Sequence, residues 1–233
     1  MSWALVTGSS ARGGAAIARS LHDAGMDIVL HHSDRSADAA RALHDELQAL
    51  RAGSAHTWAA DLAQPPSVPG WITDLAPTVC VCNASMYRAS QLGDAAIAAE
   101  DWSVHVAAHA AILNALRPGL RSVVSVTDIH VERPARGYVW YTVSKAALQA
   151  LTLALAIEWA PAVRCNVVAP GTLPLPDDWA DAPRARAIEA SVPLARLGAF
   201  EDLAAAVKWL ALDAGYVTGQ VLAVDGGRSR WLP

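Results

Sequence analysis

The sequence predicts an α/β protein with a doubly wound parallel sheet of about seven strands and helices on both faces. Short apolar runs, typical of strands that are buried on both faces, alternate along the 233 residues with segments whose apolar residues recur at helical spacing. A glycine-rich turn follows the first of these runs and opens the first helical segment. Strands that alternate with helices in this way form parallel sheets through right-handed crossovers.

The composition is that of a globular protein, 53% hydrophobic and 17% charged, and we expect one domain over residues 1–233. A net charge of −4 without a basic cluster argues against nucleic-acid and anionic-membrane partners. We expect a cytoplasmic protein, because the chain enters a strand too early for a signal segment and no apolar run has transmembrane length. Cys80, Cys82 and Cys165 lie in apolar runs without metal-ligand spacing, which predicts reduced thiols and no metal site.

The first unit is predicted to be a strand at residues 3–6, a turn at residues 7–14 and a helix that ends at Gly25. Glycines let the backbone approach a pyrophosphate, and the N-terminus of the helix adds amide donors and a positive dipole end. The pattern is that of the phosphate-binding turn of a Rossmann-type sheet. Gly8, Ser10 and Gly14 are its candidate cofactor contacts.

The second strand, near residues 28–30, ends where dinucleotide-binding folds contact the adenosine ribose. A carboxylate at this place selects NAD, whereas His31, Arg35 and Ser36 suit the 2′-phosphate of NADP. Asp34 lies in the same segment and leaves NAD open, but we favour NADP(H) as the cofactor.

The later elements continue the alternation. Further strands are predicted near residues 56–60, 78–82, 123–126 and 163–168, and further helices near residues 37–50, 102–118, 146–159 and 200–212.

Tyr141 and Lys145 are four residues apart in a segment without glycine or proline, so on a helix they share one face. An ammonium beside a phenol favours the phenolate, which predicts a lowered pKa for Tyr141 and a usable proton donor. Asp128 stands thirteen residues before the tyrosine, just after a predicted buried strand. Parallel sheets carry their chemistry at such strand ends. Asp128, Tyr141 and Lys145 are therefore the candidate catalytic residues.

These motifs together resemble the short-chain dehydrogenase/reductase family. The glycine turn, Asn83-Ala84, the Tyr-x-x-x-Lys pair and Pro170-Gly171 occur in the family's order, and the likeness covers nearly the whole chain, with the last strand within residues 217–227. Asp128 occupies the place where most members have serine. With it, the stretch VTDIHVER is similar to the pteridine reductase and dihydromonapterin reductase branch.

The resemblance implies further contacts. It places Asp61 and Leu62 against adenine, Asn83, Ala84 and Ser85 against the cofactor, and the backbone of Pro170, Gly171 and Thr172 against the nicotinamide amide. It gives Tyr87 the place of an aromatic residue that stacks on the pterin ring, and it lets Ser85 bond either the cofactor phosphate or the pterin. Arg12, where many members have glycine, could reach the phosphates or the substrate. Each has a plainer alternative: Asp61 as a helix cap, Tyr87 packed under a loop, Arg12 in solvent.

The chain departs from the family at one catalytic position. The usual asparagine in the helix before residue 118 is replaced by His109 or Ala108, depending on the register, so a proton relay could be rebuilt around His105, His109 or water. Residues 172–195 resemble a substrate lid. The family likeness also implies a homotetramer or homodimer, with Trp159 and Trp209 as candidate contacts, and residues 228–233 could reach a neighbouring subunit or fray.

The leading hypothesis is NADPH-dependent reduction of a small molecule, a pteridine such as dihydromonapterin or dihydrobiopterin, with dihydrofolate as a further candidate. Lys145 would bond the nicotinamide ribose, and Tyr141 and Asp128 would deliver a proton to a ring nitrogen. Asp128, like Arg12, Ser85, Tyr87 and Tyr141, would contact the substrate, and it could donate only with a raised pKa. One alternative is a carbonyl reductase of a 3-oxoacyl thioester, a polyketide or a small ketone. A second is a catalytically silent NADP-binding sensor.

Overall fold

Seven parallel strands form one sheet at the centre of the computed structural model, which describes residues 2–64, 66–175 and 182–230. The predicted Rossmann-type architecture is confirmed, in the strand order β3-β2-β1-β4-β5-β6-β7. The strands are β1 Trp3–Val6, β2 Asp27–His32, β3 Ala55–Ala59, β4 Val79–Cys82, β5 Ser122–Val126, β6 Arg164–Pro170 and β7 Val221–Val224. The order reverses between β1 and β4, and ligands of doubly wound sheets bind beyond the strand ends at such a point.

Helices connect the strands. They are α1 Arg12–Asp23, α2 Ala37–Leu50, α3 Gly70–Asp74, α4 Ala95–Trp102, α5 Ala108–Leu116, α6 Val139–Glu158, α7 Ala182–Ala190 and α8 Phe200–Lys208. A π-helical segment, Ser103–Ala107, joins α4 to α5 without a break, so this helical run begins earlier than the predicted residue 102. A second π-helical segment, Trp209–Asp213, extends α8.

The core lies on both faces of the sheet because side chains alternate along each strand. In β1, Ala4 and Val6 pack in the cluster that contains α1 and α8, whereas Leu5 packs in the cluster that contains α5. The three cysteines are buried and free of disulfides. Trp159, a candidate subunit contact, is instead buried in the second cluster, where the guanidinium of Arg117 lies over its ring. Trp209 is exposed.

Some sequence-based boundaries need correction. Strand β2 extends to His32, two residues beyond the predicted end, so His31 is a strand residue. Part of the predicted lid, residues 176–181, and the end of the predicted tail, residues 231–233, lie outside the described residues. Among the residues that are described, no helix combines the length and apolar character that crossing a membrane requires. Assembly as a homotetramer or homodimer stays a prediction.

Candidate active site

A cavity of about 1030 Å³ opens at the carboxyl ends of the strands, at the upper end of the size range of small-molecule sites. The fold brings all but one of the predicted site residues to this cavity. Its lining includes Gly8, Arg12, Gly14, His31, Arg35, Ser36, Asp61, Leu62, Asn83, Ala84, Ser85, Tyr87, Asp128, Tyr141, Lys145, Pro170, Gly171 and Thr172. Ser10 is the predicted residue that does not line it.

The glycine turn packs tightly against the loop that follows β4. A side chain at Gly14 would put its Cβ 2.0 Å from the Gly8 carbonyl oxygen, and Gly8 has a φ of +62°, which favours glycine. The Asn83 side-chain amide donates to the carbonyls of Thr7 and Gly8, at 3.0 and 3.1 Å. The two segments that bear the cofactor motifs are thereby fixed to each other.

His31 supports this turn rather than presenting a free nitrogen to a ligand. The Gly8 N–H donates to its Nδ1 at 3.0 Å, and its Nε2 donates to the Ala60 carbonyl at 3.2 Å. Burial lowers the pKa of His31 to about 4, so the ring is neutral. Backbone groups occupy both ring nitrogens of His31, so its observed role is to hold the turn, and its contact with the cofactor stays a prediction.

The adenosine end of the cavity retains groups that suit a 2′-phosphate. Arg35 and Ser36 line it, whereas the exposed Asp34 does not. Asp61 lines the cavity and accepts a hydrogen bond from the Ala63 N–H at 2.9 Å, which closes a turn. It does not cap the next helix, because α3 begins at Gly70 and has Pro69 at its N-cap. Arg12 is also in the lining, donates to the Pro174 carbonyl and lies over the Phe200 ring.

Asp128, Tyr141 and His130 form one hydrogen-bonded group. The Tyr141 hydroxyl donates to Asp128 Oδ2 at 2.8 Å. Asp128 Oδ1 accepts from the backbone N–H of His130 at 2.8 Å and lies 2.7 Å from His130 Nδ1. His130 was missed by the sequence reasoning, although its place two residues after Asp128, beyond a strand end, was a usable signal.

The predicted effect of Lys145 on Tyr141 is wrong in this structure. Burial raises the pKa of Tyr141 well above its ordinary value, and the Asp128 charge raises it further. The ammonium of Lys145 donates instead to the Val126 carbonyl at 2.8 Å and lies 5.9 Å from the centre of the Tyr141 ring. Burial lowers the pKa of Lys145 to about 8. The phenol is thus held protonated, as the donor to Asp128.

His105 occupies the π-helical segment and connects the post-β4 loop to α6. Its Nε2 accepts from the Met86 N–H at 3.0 Å and lies 3.0 Å from Ser85 Oγ. Because Nε2 accepts, Nδ1 carries the proton and donates to Ser144 Oγ at 2.7 Å, and Ser144 Oγ donates to the Tyr141 carbonyl. Burial lowers the pKa of His105 to about 2, which keeps the ring neutral.

His109 extends this connection to the first strand. Its Nδ1 donates to the His105 carbonyl at 3.0 Å, so Nε2 is the acceptor for the Thr7 hydroxyl at 2.9 Å. Thr7 Oγ1 in turn accepts from the backbone N–H groups of Asn83 and Ala84. Burial lowers the pKa of His109 to about 4. The two histidines therefore hold the site together as neutral hydrogen-bonding groups.

An aromatic wall stands at the substrate end. The Tyr87 ring stacks on Tyr138 with centres 4.4 Å apart and meets the Tyr141 ring edge-on at 4.8 Å. Tyr87 is 41% exposed, so part of its surface stays accessible. Tyr138 and Arg228, which also line this end of the cavity, were missed by the sequence reasoning because nothing local in their sequence context marks them.

The site has features that fit a dinucleotide. Thr127 Oγ1 is buried beside the cavity and has no hydrogen-bond partner within the described part of the chain. Lys145 has three N–H donors, of which the Val126 carbonyl takes one. Both groups lie at the end of β5, where they could meet a ribose or an amide of the cofactor.

Comparisons with known proteins find relatives that match nearly the whole chain. A family profile described as Enoyl-(Acyl carrier protein) reductase matches residues 11–229. The chain is 32% identical to 3beta-hydroxysteroid dehydrogenase 1 of Eggerthella lenta, over 96% of this chain and 92% of that protein. It is 34% identical to L-rhamnose 1-dehydrogenase (NAD(P)(+)) of a Sphingomonas species, over 96% of this chain and 94% of that protein.

The solved structures add a different set of relatives. The crystal structure of FolM Alternative dihydrofolate reductase 1 from Brucella canis, complexed with NADP, superposes with a TM-score of 0.89. It is 27% identical and covers 100% of this chain and 95% of that one. The Brucella suis protein of the same name, also in complex with NADP, matches at 27% identity and a TM-score of 0.89, covering 100% and 96% of the two chains.

Proposed function

The chain belongs to the short-chain dehydrogenase/reductase family as an NADP-dependent enzyme, and from this premise we propose that it reduces a pteridine, most simply a 7,8-dihydropterin. The observation that carries the proposal is the 2.8 Å hydrogen bond from Tyr141 to the Asp128 carboxylate in the lining of the cavity. A carboxylate accepts hydrogen bonds from the amino and ring N–H groups of a pterin, which a simple ketone lacks.

Different residues of the cavity bind different parts of the cofactor. Arg35 and Ser36 hold the 2′-phosphate, and the glycine turn with the N-terminus of α1 receives the pyrophosphate. Lys145 bonds the nicotinamide ribose, and Pro170, Gly171 and Thr172 hold the amide. When bound, the cofactor supplies the hydride.

The Tyr141–Asp128 pair manages the proton. Tyr141 holds a proton on its hydroxyl because burial and the neighbouring carboxylate both oppose its loss. Asp128 shares that proton at 2.8 Å and is held in place by His130 on its other oxygen. In the proposed reduction the Tyr141 hydroxyl gives its proton to the ring nitrogen as the adjacent carbon gains the hydride, and the phenolate regains a proton from solvent by way of Asp128.

Tyr87 and Tyr138 orient the flat substrate. A pterin ring against the accessible part of this wall would gain about 0.5–1.5 kcal/mol beyond the burial of its area. Water is kept from the reacting atoms by the same rings and by Tyr141, which is 4% exposed.

The test is a panel assay that follows NADPH oxidation with dihydromonapterin, dihydrobiopterin, dihydrofolate and an acetoacetyl thioester. We expect the pteridines to be reduced and the thioester to be a poor substrate. Turnover of the thioester alone would overturn the pteridine proposal and leave an NADP-dependent reductase of another substrate class.

The second candidate function is a carbonyl reductase. The names of the sequence relatives favour it, since they include a hydroxysteroid dehydrogenase and a sugar dehydrogenase. The motifs that bind the cofactor do not distinguish the two, because they report the dinucleotide and not the substrate. A silent NADP-binding sensor is a third candidate, and NADPH oxidation that disappears in Tyr141→Phe would exclude it.

A further inference from the structure

The substrate end of the cavity carries arginines that the reaction described above does not use. Arg136 and Arg228 line this end together with Tyr87 and Asp128. Arg133 does not line the cavity, but it donates a hydrogen bond to the Arg228 carbonyl and so supports the backbone at Arg228. The described lining contains two carboxylates, Asp128 here and Asp61 beyond β3, four strands away in the sheet.

Arg228 is a partly buried cation whose partners are hydroxyl groups. Its Nε donates to Ser191 Oγ at 3.0 Å, and a second nitrogen donates to Thr172 Oγ1. Within the described part of the chain it forms no ion pair. Burial lowers the pKa of Arg228, the neighbouring Arg133 cation lowers it further, and the charges of Asp128 and Asp225 oppose this shift only in part. Hydroxyl partners offset only part of the cost of desolvating a charge, so an anion at this place would be stabilising.

The carboxylates near Arg228 are engaged elsewhere. The Asp128 oxygens accept from Tyr141 and from His130, and each keeps a second acceptor site, but within the described residues neither forms an ion pair with Arg228. Asp225 uses its two oxygens to accept from the backbone N–H groups of Gly227 and Ser229, which closes the turn that carries Arg228. Within the described residues, Arg228 is therefore better explained as a cation that binds a ligand than as part of a structural ion pair.

We propose that Arg228, with Arg136, forms a subsite for an anionic substituent of the substrate, which for a pteridine is a carboxylate. A guanidinium offers paired N–H donors that match the two oxygens of a carboxylate. The subsite lies beside the aromatic wall, where the side chain of a ring stacked on Tyr87 would emerge. The inference rests on the proposed function and sharpens it: a pteridine with an acidic side chain, such as dihydrofolate, is favoured over one with a neutral side chain.

The kinetic test compares kcat/KM for dihydrofolate and for dihydrobiopterin in Arg228→Leu, Arg136→Leu and a matched control, Arg41→Leu. Arg41 is an exposed arginine on α2, outside the cavity. In Arg228→Leu we expect the dihydrofolate to dihydrobiopterin ratio to fall about tenfold or more, the size of one lost hydrogen bond to a charged group. Arg136→Leu should lower the ratio less, and Arg41→Leu should not change it.

Two further measurements extend the kinetic test. Arg228→Lys should keep part of the preference for dihydrofolate, because lysine keeps the positive charge. It should not keep all of it, because lysine lacks the paired N–H donors of a guanidinium. Added salt should lower the ratio in the parent more than in Arg228→Leu. An equal loss for both substrates would overturn the proposal, since it would mean that Arg228 only positions the segments of Thr172 and Ser191. An unchanged ratio would overturn it too.

A binding measurement separates this inference from the proposed function. With NADP present, thermal protection is compared for N-(4-aminobenzoyl)glutamate, for the uncharged 4-aminobenzamide and for acetoacetyl coenzyme A. Stronger protection by the carboxylate probe, lost in Arg228→Leu and reduced in Arg136→Leu, supports the subsite even if no pteridine is reduced. Equal effects of the charged and uncharged probes overturn it. Protection by the phosphate-bearing thioester alone would overturn the carboxylate assignment and favour the carbonyl reductase.

Discussion

The Tyr141 hydroxyl donates to Asp128 Oδ2 over 2.8 Å, so the two acids of this site are directly joined. Burial raises the pKa of Tyr141, and the Asp128 charge and this hydrogen bond raise it further, so the phenol stays protonated. His130 fixes the other oxygen of the same carboxylate. A serine in place of Asp128 would lack the second acceptor oxygen and the negative charge. It could therefore not accept from Tyr141 and from His130 on separate oxygens.

The first prediction tests this pair. In Asp128→Ser we expect kcat for a dihydropterin to fall about 100-fold or more, the size of a general acid–base contribution. Steady-state NADPH oxidation measures the loss, and Asp213→Ser, at an exposed carboxylate outside the cavity, is the matched control. Pteridine turnover that survives in Asp128→Ser would show that the carboxylate takes no part in the chemistry.

The second prediction concerns the ionisation of Lys145. Burial lowers its pKa to about 8, so the ammonium loses its proton as the pH rises through that value. If the charged form bonds the ribose, NADPH binding to the free enzyme weakens above about pH 8. Tyr141 adds no ionisation in this range because its pKa is raised above its ordinary value of 10.0.

Fluorescence titration with NADPH from pH 6.5 to 9.5, in parent and Lys145→Met, measures this. The variant should bind more weakly and lose the dependence on pH near 8. If NADPH binding weakened above about pH 8 in Lys145→Met as well, the pH dependence would belong to another group.

Much of the fold follows from local pattern. The apolar run Trp3–Val6 and the helix Ala37–Leu50 occur as predicted, because each is bounded by residues that break the periodicity. The assembly of the site follows as well, since the carboxyl ends of parallel strands meet at one edge of the sheet. This is why motifs that are far apart in the sequence line one cavity.

The roles of the buried polar groups could not be predicted in the same way. The prediction for Tyr141 used its spacing from Lys145, whereas the pKa depends on burial and on Asp128, which only the fold supplies. The prediction for His31 used its position after a strand, whereas both nitrogens are occupied by backbone of other segments. Arg228 reaches the cavity from the end of the chain, and no local pattern connects it to Asp128.

The third prediction treats His105 as a positioning residue. In His105→Ala the Met86 N–H loses its acceptor and Ser144 loses its donor, so the loop that carries Tyr87 should loosen. We expect KM for the pteridine to rise about tenfold, with a smaller effect on kcat. His105→Gln should reverse part of this rise in KM, because the glutamine amide has an oxygen that accepts hydrogen bonds and an NH₂ group that donates them.

The pH dependence distinguishes this role from acid–base catalysis. The pKa of His105 is lowered to about 2, so its contribution to KM should not change between pH 5 and 8. If KM in the parent changed with pH around pH 6 and this change disappeared in His105→Gln, the positioning role would be contradicted.

The last prediction concerns acid stability. The folded-state pKa values are about 4 for His31, about 2 for His105 and about 4 for His109, all below the ordinary 6.5. The unfolded chain therefore binds protons first as the pH falls. Each histidine contributes stability that is fully present above pH 6.5 and is lost as the pH falls toward its folded value. Between pH 6 and 4 each lowers the free energy of unfolding by up to about 1.4 kcal/mol per pH unit.

Urea unfolding at pH 7.0 and 5.0 measures this loss, and it should be smaller in His109→Gln than in the parent protein. The glutamine removes one titrating group and keeps a hydrogen-bonding side chain beside Thr7. His56→Gln is the matched control, because His56 is exposed on β3, where it stacks on Trp3. The control should lose as much stability as the parent. Equal losses in all three proteins would mean that His109 does not contribute to the weakening in acid.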